Sequence, residues 1–391
     1  MFLRGLIFLL LLLPLQAQVL SWGKPEDVGM SSRRLAQLDE VIEASIAQNE
    51  TPGAVVLVAR QGRVVYRKSL GHRARVPRRE TMTLETLFDV ASLTKVLATA
   101  PSMLILVEEG KVSLTDRVSK YLPRFAQNGK DSITVLQLLT HYSGLRADLD
   151  LDQPWEGYET AIEMAFREKP ISPPGEEFIY SDINYIVLAE IVREVSGQYL
   201  NEFSAQRIFS PLGMTKTRFL PPPQVHDQIA PTDFREGQLL RGVVHDPSTA
   251  RMGGVSGHAG VFSTVEDTAI FAQMILNGGL YNGVRILSPL SVLQMTTPQS
   301  PVGATDWRGL GFDIRTPYSG PRGDLFPVGS FGHTGFTGTS LWIDPFTEVF
   351  VILFTNRVHP NGEGNVVSLR KRVASVVAAS VMDLPSAKAL R

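Results

Sequence analysis

The chain contains no cysteine. That absence excludes thiol nucleophiles, disulfides, cysteine-ligated metal sites and lipid attachment through a thiol. A dominant charge is also missing. Lys and Arg number 38 against 39 Asp and Glu, leaving a formal charge of −1 and a pI near 6.7. No global field therefore draws the protein to nucleic acid or to anionic lipid. Internal repeats and low-complexity linkers are lacking. The glycine-dense stretch FGHTGFTG, residues 331–338, lacks the Lys and following hydroxyl residue of a phosphate loop. The 7 histidines never form H-E-x-x-H. GVSGH, residues 254–258, fails G-x-S-x-G at its last position, and the alternating βα pattern of an α/β-hydrolase is missing too.

The 391 residues exceed the roughly 250–300 at which a single core stops growing, so one two-lobed domain or two domains is expected. Residues 1–17 read as an export signal: Arg4 is the basic start, residues 6–13 the apolar run, Pro14 the break and Ala17 the small residue before a cut. The run is too short to span a bilayer as a final anchor, which points to a periplasmic or secreted protein with no stable membrane span once the signal is removed. A retained anchor is the alternative. Arg73, Arg75, Arg78 and Arg79 form a local basic cluster. It reads as a solvated loop, with contact to an anionic cell-wall polymer as the lesser reading.

Strand signals sit near both ends of the chain. Residues 54–71 read as a β-hairpin turning at Gln61–Gly62, and a second hairpin turns at Asp344–Pro345. Helices are expected after Ser31–Ser32, after Thr134 with a stop at Gly144, before Gly197, from a Ser263-x-x-Glu266 capping box, and over residues 364–382. The architecture this predicts is α+β: an antiparallel sheet built from both chain ends, flanked by the terminal helices, with a helical lobe inserted. One domain over 25–385 is expected, with a sheet lobe at 25–90 and 325–385 and a helical lobe at 91–324.

Ser-x-x-Lys occurs at Ser21–Lys24, Ser92–Lys95 and Ser368–Lys371. Residues three apart share a helix face, so a Lys amine can lie beside a Ser hydroxyl. Ser21 lies next to the signal, and Ser368 lies in the last helix with no strand after it. Ser92 opens a strongly apolar helix, where a buried Lys is costly unless paired or neutral. Tyr-x-Asn/Asp occurs at Tyr180–Asp182, before a long helix, and at Tyr199–Asn201, which starts another. A tyrosine near an ammonium can serve as the second titrating group that a serine nucleophile needs.

In order, LFDVASLTK, ITVLQLLTHYSGL, PGEEFIYSDINYIVLAEIV, IFSPLGMTKTRF, AGVFSTVEDTAIFAQMILNGG and GHTGFTGTSLWIDP resemble the serine penicillin-recognising superfamily. The resemblance is to its class C-type branch of β-lactamases, D-alanyl-D-alanine carboxypeptidases and related esterases, and it spans about residues 25–360. It implies a β-lactamase/transpeptidase-like fold. Ser92 becomes the acylated nucleophile, with Lys95 and Tyr180 its proton-relay partners. His333, Thr334 and Gly335 would line the site as an edge strand, and Gly335 would let the substrate lie against it. The N–H groups of Ser92 and Phe336 would form the oxyanion hole. No metal and no cofactor are implied.

Two departures qualify the resemblance. Asp182 stands where the β-lactamases usually place Asn, whose amide can donate to a substrate carbonyl. Asp182 can instead pair with Lys95. His333 replaces the Lys of K-T-G, as in carboxypeptidases of this build. Both weigh against an efficient β-lactamase. An imidazole titrating near ~6.5 would make recognition of a substrate carboxylate pH-dependent. His245, Asp246 and His258 are read as shaping a loop at the cleft rim, and His141 and His359 as structural. The function expected is acyl transfer on D-amino-acid peptides of cell-wall origin or small esters. A β-lactamase, or a penicillin- or peptidoglycan-binding protein with little turnover, is the alternative.

Overall fold

The computed structural model describes residues 19–384, so the signal expected over 1–17 lies outside the described residues. The strands of the main sheet are β1 (Ser21–Trp22), β2 (Gly53–Arg60), β3 (Arg63–Ala74), β4 (Glu80–Thr81), β5 (Trp307–Arg308), β6 (Asp313–Arg315), β7 (Phe331–Thr334), β8 (Ser340–Asp344) and β9 (Val349–Thr355). Their order is β1-β3-β2-β9-β8-β7-β6-β5, with β4 on the outer side of β3. The two chain ends meet where β2 pairs antiparallel with β9, from Arg60↔Val349 to Ala54↔Thr355.

The first hairpin forms where its turn residues predict. Gln61 and Gly62 both take positive φ, 49° and 72°, and such a turn matches the right-handed twist of the strands it joins. Alternation along β2 then feeds two cores. Val55, Leu57 and Ala59 face the helical lobe. Ala54, Val56 and Val58 face the terminal helices, α1 (Gln37–Ala47) and, at the far end of the chain, Val367–Ala379. Burial on both faces is why β2 reads as an unbroken apolar run.

The helical lobe is built on α2 (Ala100–Glu108), α3 (Asp182–Ser196) and α4 (Val265–Leu276), and the terminal helix Val367–Ala379 is α5. Among the described residues one helix, Ala91–Glu108, is long and apolar enough to cross a membrane, and 83% of it is buried in the protein. It is a core helix.

Several expectations need correction. The sheet is not wholly antiparallel, because β1 runs parallel to β3 and starts before residue 25. β5 and β6 join it from inside the range 91–324 expected to be helical. Strands of two or three residues carry too little period-2 signal to be read from sequence. The helix after Thr134 ends at Leu139, short of Gly144, and His141 then turns the chain with φ 62°. The cap of α4 is Thr264, which accepts from the Asp267 N–H at 3.2 Å; Ser263 belongs to a strand paired with Phe88. The arginine cluster is only partly solvated, since Arg73 pairs with Glu80 at 2.9 Å and Arg75 reaches Asn49 at 2.8 Å.

Candidate active site

The segment around Ser92 leaves a short strand, Phe88–Asp89, and turns sharply. Ala91 has φ 46°, a left-handed conformation unfavourable for a residue with a Cβ. Asp89 holds that turn. Its carboxylate accepts from Ala91 N–H at 2.9 Å and from His245 N–H at 2.7 Å. Burial nonetheless pushes the Asp89 carboxyl up to about 6. After the turn the chain makes a wide π-type coil over Lys95–Thr99, then enters α2. Pro101, which has no N–H to donate, follows directly, and the helix continues through it.

Ser92 and Lys95 share the same face. Lys95 Nζ donates to Ser92 Oγ at 3.1 Å and to the His258 carbonyl at 3.3 Å. Its nearest charge is Asp182 Oδ1 at 2.6 Å, and it sits 4.8 Å from the Tyr180 ring centre. Burial alone would depress the ammonium, but Asp182 and Tyr180 outweigh it and raise the Lys95 pKa. Lys95 is therefore a fully buried, paired cation.

Tyr180 and Asp182 flank the start of α3, whose N-cap is Ser181. The His141 ring stacks on Tyr180 at 4.5 Å between centres, and His141 Nδ1 accepts from the Ser181 N–H at 3.1 Å. Burial, then Arg308 and Lys95, hold His141 well below the usual imidazole range, so it is a neutral ring that backs Tyr180. His359 is structural as expected: Nε2 accepts from Arg75 N–H at 2.9 Å and Nδ1 lies 3.1 Å from the Thr232 carbonyl.

β7 brings His333 and Thr334 to the same cleft. It is not an edge strand throughout, because Gly332 pairs with Asp313 of β6. The edge opens from His333 onward. His333 is 4% exposed, and its Nδ1 lies 2.8 Å from the Thr334 carbonyl, which assigns the proton to Nδ1. Burial, Arg308 and Lys95 push its pKa well below normal. His333 is thus neutral across ordinary pH. A charged, titrating His333 that binds a carboxylate does not fit this geometry.

Gly335 has a different reason from the one expected. A Cβ there would lie 2.4 Å from the Val90 carbonyl oxygen and 2.1 Å from Thr339 Oγ1. The glycine lets the end of β7 press against the nucleophile turn. Thr337 and Thr339 hydroxyls donate to the Asp89 and Val90 carbonyls at 2.7 and 3.0 Å and lock that contact. Among the described residues, neither the Ser92 N–H nor the Phe336 N–H has a protein acceptor. Both are left available as donors.

A cleft of about 520 Å³ opens over Ser92, Tyr180, His333 and Phe336. Three arginines also line it: Arg308, Arg357 and Arg370. Arg308 lies 3.9 Å from Asp313. Arg370 donates to the Gly335 and Thr339 carbonyls at 2.6 and 2.8 Å, and Arg357 lies 4.3 Å from the Phe336 ring centre. Neither Arg357 nor Arg370 has a carboxylate partner among the described residues. Burial lowers the Arg370 guanidinium to about 9, still charged at neutral pH. Sequence reasoning missed all three. A signal existed for Arg370, which stands in the apolar stripe Leu369, Val373, Ala374 and Val377 of α5, continued by its N-cap Val366.

The three candidates at 245, 246 and 258 do not share one loop surface. His245 is at the rim, stacked on Phe336 at 5.5 Å. Asp246 caps the helix Pro247–Arg251. His258 is buried, 1% exposed, behind Lys95. Asp182, Asp246 and His258 bring metal-ligand atoms within 4.8 Å of one another. Lys95 already holds Asp182, and Asp246, Ser248 and Thr249 surround His258 Nε2. The other Ser-x-x-Lys and Tyr-x-Asn sites lie elsewhere: Ser21 in β1, Ser368 in α5, and Tyr199 as an N-cap.

The pattern of the family described as Beta-lactamase matches residues 38–375. The chain belongs to the β-lactamase family. This family membership accounts for a serine hydrolase built on a sheet from both chain ends. A relative from Salmonella schwarzengrund (strain CVM19633), named "Putative D-alanyl-D-alanine carboxypeptidase", is 32% identical over 378 residues, covering 87% of each chain. Among solved structures, a penicillin-binding protein homologue from Caulobacter crescentus matches with TM-score 0.72 at 25% identity, over 90% of this chain and 99% of its own. EstCE1, a hydrolase with promiscuous acyltransferase activity, matches with TM-score 0.71 at 22% identity, over 88% of this chain and 99% of its own. The last match speaks to fold alone.

Proposed function

We propose that the protein is an exported serine hydrolase that works through an acyl-enzyme on Ser92. Its substrates are D-amino-acid peptides of cell-wall origin or small esters. The observation that carries this reading is the buried Lys95 ammonium, bonded to Ser92 Oγ at 3.1 Å and facing the Tyr180 ring. An ammonium in that position has no lone pair to take the Ser92 proton. Tyr180, whose ring centre lies 4.8 Å from the Lys95 ammonium, is then the base. Ser92 Oγ attacks the carbonyl while its proton passes to Tyr180. The Ser92 and Phe336 N–H groups receive the developing oxyanion. The leaving group takes the proton back from Tyr180, and water repeats the cycle on the ester.

Asp182 has no amide to offer a substrate, and its carboxylate is engaged with Lys95. This favours a peptidase or esterase over a β-lactamase. With His333 neutral, the charge that meets a substrate carboxylate comes from Arg370 and Arg357 in the cleft. Names of relatives support the peptide class. The test is a substrate panel: a D-Ala-D-Ala peptide, a p-nitrophenyl ester and a fluorescent penicillin. Turnover of the peptide or ester above that of the penicillin is expected, and Ser92→Ala abolishes it. Fast penicillin hydrolysis with no peptide or ester turnover would contradict the assignment.

A further inference from the structure

Behind Lys95 lies a second ion pair that the relay of Ser92, Lys95 and Tyr180 does not use. His258 Nε2 lies 2.9 Å from Asp246 Oδ1. On its other side Nδ1 lies 2.9 Å from the Ser256 hydroxyl. An oxygen of Asp182, one of Asp246 and a nitrogen of His258 all fall within 4.8 Å of one another. Asp148 completes the surround, held by Ser248 Oγ at 3.3 Å. The groups facing His258 are therefore Asp246, Asp182 and Asp148, with Lys95 beyond Asp182 and bonded to the His258 carbonyl at 3.3 Å. Burial opposes a charge on the imidazole, but Asp246 and Asp182 outweigh it and raise its pKa.

The side chains form a row of alternating sign: Lys95, Asp182, His258, Asp246. An aspartate bound to Lys95 alone would cancel much of the ammonium's field at Ser92 and Tyr180, the more so in a site of low effective dielectric. A cation on the far side of Asp182 counters this. We propose that His258, held by Asp246, is a positioning residue for acyl transfer: it shares the Asp182 charge and keeps the Lys95 ammonium effective toward Tyr180 and Ser92. The role rests on the Ser92 acyl-enzyme reading. It makes Asp182 and His258 one unit, so that an aspartate in the Tyr-x-Asn/Asp motif is matched by a buried imidazolium 76 residues on.

The test uses the full chain and a p-nitrophenyl ester, with the Ser92 adduct counted by intact mass. His258→Asn and Asp182→Asn are made singly and together, and Tm is recorded for each. His258→Asn is expected to slow acylation roughly 10-fold, the scale of coupling between contacting charges. Adding Asp182→Asn should recover part of that loss, because the anion that the imidazolium balanced is gone. Penalties that simply add overturn the role. Asp246→Asn gives an independent readout if His258→Asn does not fold. Without Asp246 the imidazole loses its proton at lower pH, so the decline of acylation with rising pH should set in at lower pH than in the unaltered protein. Parallel profiles overturn the role. No Ser92 adduct in the unaltered protein would overturn the acyl-enzyme reading and this role with it; an adduct with additive penalties would overturn the role alone.

Discussion

Lys95 Nζ lies 2.6 Å from Asp182 Oδ1, closer than to Ser92 Oγ or the His258 carbonyl. The pair fixes the ammonium as a charge rather than a base, and the proposed relay therefore assigns proton transfer to Tyr180. Replacing Tyr180 by Phe keeps the ring stacked on His141 and removes only the hydroxyl. Acylation should fall about 10²–10⁴-fold, the usual contribution of a positioned acid–base group. Stopped-flow rates with an activated ester, beside an unchanged Tm, check this. A loss under threefold would move the base elsewhere.

His333 and His141 give the fold an acid-sensitive edge. Both are buried neutral, with pKa values well below normal. Unfolded, each titrates near ~6.5. The unfolded chain therefore binds more protons below that pH, and the stability these residues hold above it is lost as pH falls. In His333→Asn the fall in stability below about pH 6.5 should be shallower, read from denaturant midpoints. The same neutrality predicts that KM for a carboxylate-bearing substrate stays flat across pH 6–8.

Arg370 should separate two substrate classes. Its guanidinium lines the cleft without a carboxylate partner and also clamps the Gly335 and Thr339 carbonyls. Arg370→Gln should lower kcat/KM for a peptide ending in a carboxylate by roughly 10–100-fold, from the loss of a charged hydrogen bond. A neutral ester should suffer only from the loosened clamp. Equal losses on both substrates would limit Arg370 to holding β7.

Gly335→Ala is expected to be disabling without touching substrate. The new Cβ meets the Val90 carbonyl, a backbone atom that cannot rotate away. Overpacking of this kind costs about 1–3 kcal/mol and displaces the nucleophile turn. Thermal denaturation and ester hydrolysis together measure it. Normal stability and activity would show that the turn has more freedom than its contacts suggest.

Much of this was legible in the chain. Ser92, Lys95, Tyr180, Asp182 and the residues 333–336 are brought to one cleft because each motif sits at an element boundary marked by capping or turn residues. Gln61 and Gly62 announced the hairpin through their turn chemistry. The Lys95–Asp182 pair was anticipated from the motif, but the surroundings of the other charges were not. His333 reads as a titrating imidazole until burial, with Arg308 and Lys95 nearby, is seen to depress it. His258 reads as a rim residue until the fold buries it behind Lys95. Gly335 reads as a substrate contact until Val90 is found against it. Arg308 and Asp313 lie on strands of two and three residues, too short to reveal which way their side chains face.

Acyl transfer by this site requires Ser92 to form a covalent ester. Intact-mass analysis of the protein mixed with an activated acyl ester, followed by peptide mapping, tests it directly. The prediction is one added acyl group per chain, located on Ser92 and absent from Ser92→Ala. No added mass, or an adduct that persists at the same level in Ser92→Ala, would contradict it.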